Sequence, residues 1–227
     1  MRLYHMTTLK NAVDYILPER RMRFSRFDNL NDPFELKSIK FEGRDGRYIF
    51  KKVLEHYIKN VGLLCMVEHW KSPLMWAHYT QNHQGVCLGF DVTDEDMPTQ
   101  ITYTEERTTH ILVPNDPHGG VTFDMMKGLS TTKAKGWSYE EEWRLLGELK
   151  EPDPINGSFY LPFSETFVLR EIIVGSRCDA TVESFRKYVG KVDKSVTIIQ
   201  SRPAFKTFTI VQKNDVPAVV VMPEGDK

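Results

Sequence analysis

The stretch Glu140-Glu141-Glu142-Trp143-Arg144-Leu145-Leu146 reads as a β-strand with Glu140, Glu142 and Arg144 on one face and Trp143 and Leu145 on the other. Carboxylates are poor strand formers, so a row of them beside an arginine needs either solvent on that face or a site that uses them. Two accounts are open. In one, this is an edge strand whose charged face protects against aggregation. In the other, Arg144 pairs with one carboxylate and leaves the other to meet a substrate. A hydrolase using Glu140 and Glu142 as acid and base fits less well. Same-face strand neighbours lie about 7 Å apart, and no metal or nucleophile is evident beside them.

Three further stretches carry chemistry. His5 and Thr7 share a face of a first strand, where the imidazole would bond a ligand hydroxyl while Thr7 caps the next helix; a satisfied core histidine is the plainer alternative. In Trp76-Ala77-His78-Tyr79, continuing to His83, Trp76 and Tyr79 form an aromatic wall against which a flat ring would stack, or else they pack into the core. His78 and His83 stand five apart, the wrong spacing for joint metal ligation from one helical face, and no Cys-x-x-Cys occurs, so no metal site is expected. The loop Asn29 to Glu35 gathers Asn29, Asn31, Asp32 and Glu35 near Arg21, Arg23 and Arg26. It would clamp a ribose or phosphate through bidentate arginine, or simply satisfy its own backbone.

The elements that must position these residues follow from periodicity and punctuation. Arg2 to Met6 is a strand, Thr7 or Thr8 caps a helix from Leu9 to Leu17, and Pro18 closes it. A helix over Gly46 to Val61 ends at Gly62, and Leu63 to Val67 is a buried strand. Ser72-Pro73 starts a helix reaching His83, and Val86 to Val92 is a central strand. A strand at Gln100 to Thr104 and a helix from about Thr122 to Lys135 precede the Glu-x-Glu strand. A strand at Phe167 to Val174, a helix at Val182 to Val189 and strands at Val196 to Gln200, Phe208 to Gln212 and Val219 to Met222 complete the chain. Helices cluster early and strands late. This predicts an α+β fold, a single domain over residues 1–227 with a mixed or split β-sheet and flanking helices, undivided by any linker or repeat.

With 227 residues and 41% hydrophobic content, the chain can bury a substantial core. Its 30 basic and 31 acidic residues balance, so no global field draws it to nucleic acid or an anionic membrane, although a local basic stretch would still serve. No apolar run approaches the roughly 20 residues of a membrane span, and the N-terminus lacks the plan of a signal peptide. A soluble, cytoplasmic protein without membrane partners is expected. Cys65, Cys87 and Cys178 are widely separated in apolar surroundings, which suits reduced structural thiols. Cys87 is a poor nucleophile there.

Leu3 to Thr8, Arg23 to Ser25, Asn31 to Glu35, Trp76 to Tyr79, Gly85 to Asp91 and Glu140 to Arg144 together resemble a bacterial family of uncharacterised domains. Its members open with Leu-Tyr-His-Tyr-Thr-Ser and carry Arg-Phe-Ser, Asn-Asp-Pro-Phe-Glu, Trp-Ala-His-Tyr, Gly-Val-Cys-Leu-Gly-Phe-Asp and Glu-x-Glu-Trp-Arg. The chain departs by having Met6 and Thr8 where the opening motif shows Tyr and Ser. More distantly, the order of motifs resembles ADP-ribosyltransferase-type folds. That resemblance implies NAD as substrate, with His5 holding the nicotinamide ribose, Tyr79 stacking on nicotinamide and Glu142 stabilising the oxocarbenium-like transition state. The substrate-binding set that goes with it is Thr7, Arg23, Ser25, Asn31, Asp32, Trp76, His78, His83, Glu140 and Arg144. It further implies a protein or nucleic-acid acceptor or hydrolysis of NAD itself, a toxin-like role in bacterial or phage defence, and a regulatory partner. The alternative is a non-catalytic module that binds a nucleotide or a protein.

Overall fold

The run Val86–Val92 is apolar on both faces, as a strand covered on both sides must be. Val86, Cys87, Leu88 and Phe90 are fully buried at the heart of a large mixed sheet. The structure is a computed structural model that describes residues 1–41, 43–93, 98–190, 192 and 194–223. The chain divides into two compact units. One comprises Met1–Arg23, Cys65–Asp96 and Tyr160–Lys227; the other comprises Phe24–Leu64 and Met97–Phe159. Two of the crossings, Arg23 to Phe24 and Leu64 to Cys65, fall at the end of one strand and inside another, and the last, Phe159 to Tyr160, follows the loop that carries Pro152, Pro154, Asn156 and Gly157.

In the first unit the strands run in the order Ile210–Gln212, Val196–Pro203, Phe167–Val174, Val86–Val92, Arg2–Thr7 and the Cys65-to-Val67 half of Val61–Val67. Only Phe167–Val174 and Val196–Pro203 are parallel among the first five, and the chain between them carries the short helical pieces Glu183–Phe185 and Arg186–Val189. Arg2–Thr7 lies antiparallel to Val86–Val92 in unbroken register from Arg2↔Asp91 to Thr7↔Val86.

Helical structure continues from Leu9 to Glu19, past the expected stop at Pro18. A π turn over Ala12–Ile16, in which the Leu17 N–H donates to the Ala12 carbonyl, precedes the proline. Such a turn shifts the ladder by one residue and accommodates a ring that an α-register would exclude. Thr8, not Thr7, is the cap, its side chain accepting from the Asn11 N–H at 3.1 Å.

The second unit holds the helices Gly43–Asn60 and Phe123–Ser130 and the antiparallel pair Pro98–Gln100 and Glu142–Glu148. Two short parallel ladders join Ile39–Phe41 to Thr108–His110 and Thr102–Thr104 to Thr132–Ala134. Gly62 does not end the long helix but lies inside the strand Val61–Val67. A Cβ there would stand 2.6 Å from Leu149 and 3.0 Å from Phe24, so glycine serves close packing rather than a cap. No helix among the described residues is long and apolar enough to cross a membrane, and the three cysteines form no disulfide.

Candidate functional site

The Glu-x-Glu motif is not a continuous strand. Glu140 ends a 3-10 helix, Lys135–Glu140, Glu141 is left-handed at φ 47°, and the strand begins at Glu142. The turn at Glu141 directs Glu140 and Glu142 onto the same ammonium, that of Lys133, with Nζ 2.6 Å from Glu140 Oε2 and 3.2 Å from Glu142 Oε2.

Beside them the Arg144 guanidinium spends all five of its N–H donors. It gives Nε to Glu142 Oε1 at 2.7 Å and Nη2 to Glu142 Oε2 at 3.2 Å. It also forks onto Glu35 at 2.9 and 2.6 Å and donates to the Ser130 carbonyl at 2.7 Å. Glu35, Lys133, Glu140, Glu142 and Arg144 are all buried, with Arg144 at 0% exposure and Glu142 at 3%. Neither the exposed edge face nor a carboxylate open to solvent describes this arrangement.

Three carboxylates and two cations in a dry interior must share protons and hydrogen bonds closely. Burial works to lower the Lys133 pKa, but the charges of Glu142, Glu140 and Glu35 outweigh it and hold the ammonium above its usual range. Burial, joined by the same Glu142 and Glu140 charges, pushes the Tyr103 hydroxyl up to about 12 against the opposing effect of the Glu142 N–H, which donates to it at 2.9 Å. Lys133 therefore stays a cation at neutral pH, and the Tyr103 hydroxyl keeps its proton. Tyr57 reaches it by a bond to the Ser130 hydroxyl at 3.2 Å, and the Arg144 guanidinium lies 6.0 Å from the centre of the Phe27 ring.

The loop from Asn31 onward serves this cluster through Glu35, a role the sequence reading did not assign. Asp32 is 3% exposed; its Oδ1 accepts from the Phe34 N–H at 2.8 Å, and its Oδ2 is buried with no partner among the described residues. Asn31 is exposed, and Ser25 is half-buried in a backbone bridge to Leu63. Arg26 pairs with Asp28 at 3.2 Å rather than with the loop beyond. Lys133 was hidden by the helix expected through Lys135; the chain instead leaves the helix at Ser130 and enters a strand at Thr132. The signal that points to it is charge arithmetic: Glu140 and Glu142 on one side of Arg144 leave one carboxylate in need of a second cation.

In the first unit, His5 is half-buried on Arg2–Thr7, its Nδ1 2.9 Å from the Cys65 carbonyl. A carbonyl only accepts, so Nδ1 carries the proton and Nε2 is left as the acceptor. Burial lowers the His5 pKa against the opposing pull of that carbonyl, so the ring is neutral at pH 7. Thr7 is buried beside Gly85, where a Cβ would fall 2.2 Å from the Thr7 carbonyl oxygen.

Trp76 is fully buried, donates Nε1 to the Trp70 carbonyl at 2.6 Å and stacks on His83 with ring centres 6.2 Å apart, which is the core-packing account. The helix Pro73–Tyr79 stops short of His83, because Gln81, Asn82 and His83 are successively left-handed at φ 51°, 57° and 70°. His83 Nδ1 is buried without a partner among the described residues, and its pKa is lowered by burial and by Arg177. His78 is exposed, Tyr79 is half-buried, and their rings meet edge to face at 6.4 Å. Arg23 is exposed at the end of the strand Arg21–Arg23.

Thus His5, Thr7, Arg23, Trp76, His78, Tyr79 and His83 belong to the first unit, and Ser25, Asn31, Asp32, Glu140, Glu142 and Arg144 belong to the second. The structure brings Glu140, Glu142 and Arg144 into one cluster, and separately brings Trp76 and His83 into contact. Among the described residues no group of three or more His, Cys, Asp or Glu side chains is arranged to hold a metal ion.

Residues 75–145 are similar to a family described as protein of unknown function (DUF2971), a span that opens beside Trp76 and takes in Glu142 and Arg144 at its end. No curated protein and no solved structure matches the chain.

Proposed function

We propose that the protein is an NAD-consuming enzyme of the ADP-ribosyltransferase type, which transfers ADP-ribose to protein or nucleic acid or hydrolyses NAD. The observation that carries this reading is the state of His5. A neutral imidazole with its tautomer set by the Cys65 carbonyl offers Nε2 as an acceptor for a ribose hydroxyl, the role the early-strand histidine takes in such enzymes. Glu142 enters as a negative charge held by Arg144 and Lys133. A carboxylate stabilises positive charge developing on the ribose without being consumed. Tyr79 is the stacking residue in this reading.

One observation favours the second reading, a non-catalytic module that binds a nucleotide or a protein. Both oxygens of Glu142 are engaged and the side chain is buried, so contact with a substrate requires it to be uncovered. The discriminating measurement is nicotinamide release from NAD in cell lysate by wild type, His5→Ala and Glu142→Gln, each checked for folding by circular dichroism. Transferase chemistry predicts release by wild type and a loss of about 100-fold or more in each variant. A folded wild type that releases no nicotinamide removes the enzyme reading, and NAD binding by calorimetry then separates a nucleotide module from a protein-binding one.

A further inference from the structure

The hairpin between Val196–Pro203 and Ile210–Gln212 ends in Ala204-Phe205-Lys206-Thr207-Phe208-Thr209, and its two phenylalanines lie open to water, Phe205 at 90% exposure and Phe208 at 100%. Two large apolar side chains held in water on one six-residue loop forgo the free energy of burial, which a ligand that covers them would supply. The tip is a built structure. The Ala204 N–H donates to the Thr209 carbonyl at 2.9 Å, the hydroxyls of Thr207 and Thr209 lie 2.7 Å apart, and the Ile210 N–H is anchored on the Lys71 carbonyl at 2.9 Å.

The charge around the tip has one sign. From Ser201 to Asn214 the chain carries Arg202, Lys206 and Lys213 and no acidic residue. Lys213 lies 3.8 Å from Asp215, whereas Arg202 and Lys206 have no acidic partner among the described residues. The Arg202 guanidinium sits over one face of the Phe205 ring at 4.3 Å. Beside that ring is a groove of about 400 Å3 whose lining includes Phe205, Lys206, Gln212 and Asn214.

We propose that this hairpin binds single-stranded nucleic acid, with bases stacking on Phe205 and Phe208, backbone phosphates meeting Arg202 and Lys206, and the amides of Gln212 and Asn214 facing base edges in the groove. Exposed aromatic rings interleaved with cations form the general platform for unpaired bases. The groove favours this ligand over an anionic membrane: a membrane-inserting tip needs only a convex apolar point with flanking cations, whereas Gln212 and Asn214 in the same lining as Phe205 suit a nucleobase. The site stands independently of the NAD reading.

The test is fluorescence anisotropy of 5′-fluorescein-labelled dT12 and U12 with the full chain, across a salt series. Expected are binding that weakens with salt at a log–log slope of about −1.4 for two phosphate contacts and a loss of about ten-fold or more for Phe205→Ala and for Phe208→Ala. Lys206→Ala should flatten the slope by about 0.7. These side chains are exposed, so the variants keep the wild-type melting temperature. No binding of either oligonucleotide, or equal binding by wild type and the two Phe variants, overturns the proposal. So does co-sedimentation with phosphatidylserine vesicles that Phe208→Ala abolishes, in a protein that leaves both oligonucleotides unbound.

Discussion

Replacing Arg144 by methionine removes five hydrogen bonds at once and leaves Glu35 and Glu142 in a dry interior with Lys133 as the remaining cation, 3.2 Å from Glu142 and 3.9 Å from Glu35. Removing one partner of a buried ion pair costs about 3–5 kcal/mol, because the abandoned charge cannot recover its hydration. Here two carboxylates are abandoned together, which places the expected loss near the top of that range, a large part of the roughly 5–15 kcal/mol that holds a typical domain. With a urea slope of about 2 kcal/mol/M, the unfolding midpoint should fall by about 2 M. Arg144→Lys keeps the charge but has three donors in place of a five-donor fork, so it should lose about half as much. The double variant Arg144→Met/Glu35→Leu should recover part of the loss, since it strands one carboxylate fewer. The assay is urea unfolding followed by tryptophan fluorescence and far-ultraviolet circular dichroism together. A loss below about 1 kcal/mol for Arg144→Met would refute the reasoning, because it would mean that the cluster is hydrated and its charges interchangeable with water.

Burial holds His5 below the usual imidazole value of about 6.5, so the unfolded chain takes up that proton first as pH falls. The stability this provides is present above about pH 6.5 and is lost as pH drops through the folded value. His83 acts in the same direction. The melting temperature should therefore fall on the acid side of neutrality, and fall less in His5→Gln; equal falls would remove His5 from the account. Gly85→Ala places a methyl group 2.2 Å from the Thr7 carbonyl oxygen and 3.0 Å from the Thr80 Cβ, just before the strand Val86–Val92 begins its pairing with Arg2–Thr7, and should cost about 3 kcal/mol. An unchanged melting temperature would show that the strand pair yields.

What was legible in the sequence was local pattern. The apolar runs at Val86–Val92 and Phe167–Val174 are strands as their composition requires, and the long amphipathic helix is present at Gly43–Asn60. The misreadings occur where backbone conformation escapes residue type. Non-glycine residues turn left-handed at Glu141 and over Gln81–His83, cutting the Glu-x-Glu strand and the Pro73 helix short, and a π turn carries a helix past Pro18. The cluster was half legible: Glu140, Glu142 and Arg144 stood out as chemically loaded, but Glu35 looked like one more turn residue. Its partner is 109 residues away, and no local periodicity encodes a contact at that separation.

That separation also sets the order of events on the ribosome. At about 5–20 residues per second, Glu35 leaves the exit tunnel roughly 5–20 s before the arginine that receives it. During this interval the guanidinium that Glu35 pairs with in the folded protein has not been made, so that pairing cannot form. The segments ending at Leu64 and at Phe159 belong to the same unit, so that unit cannot complete its interior until more than two-thirds of the chain has been made. The ionic cluster is therefore a late event in vectorial synthesis, closing only when residues translated far apart in time meet.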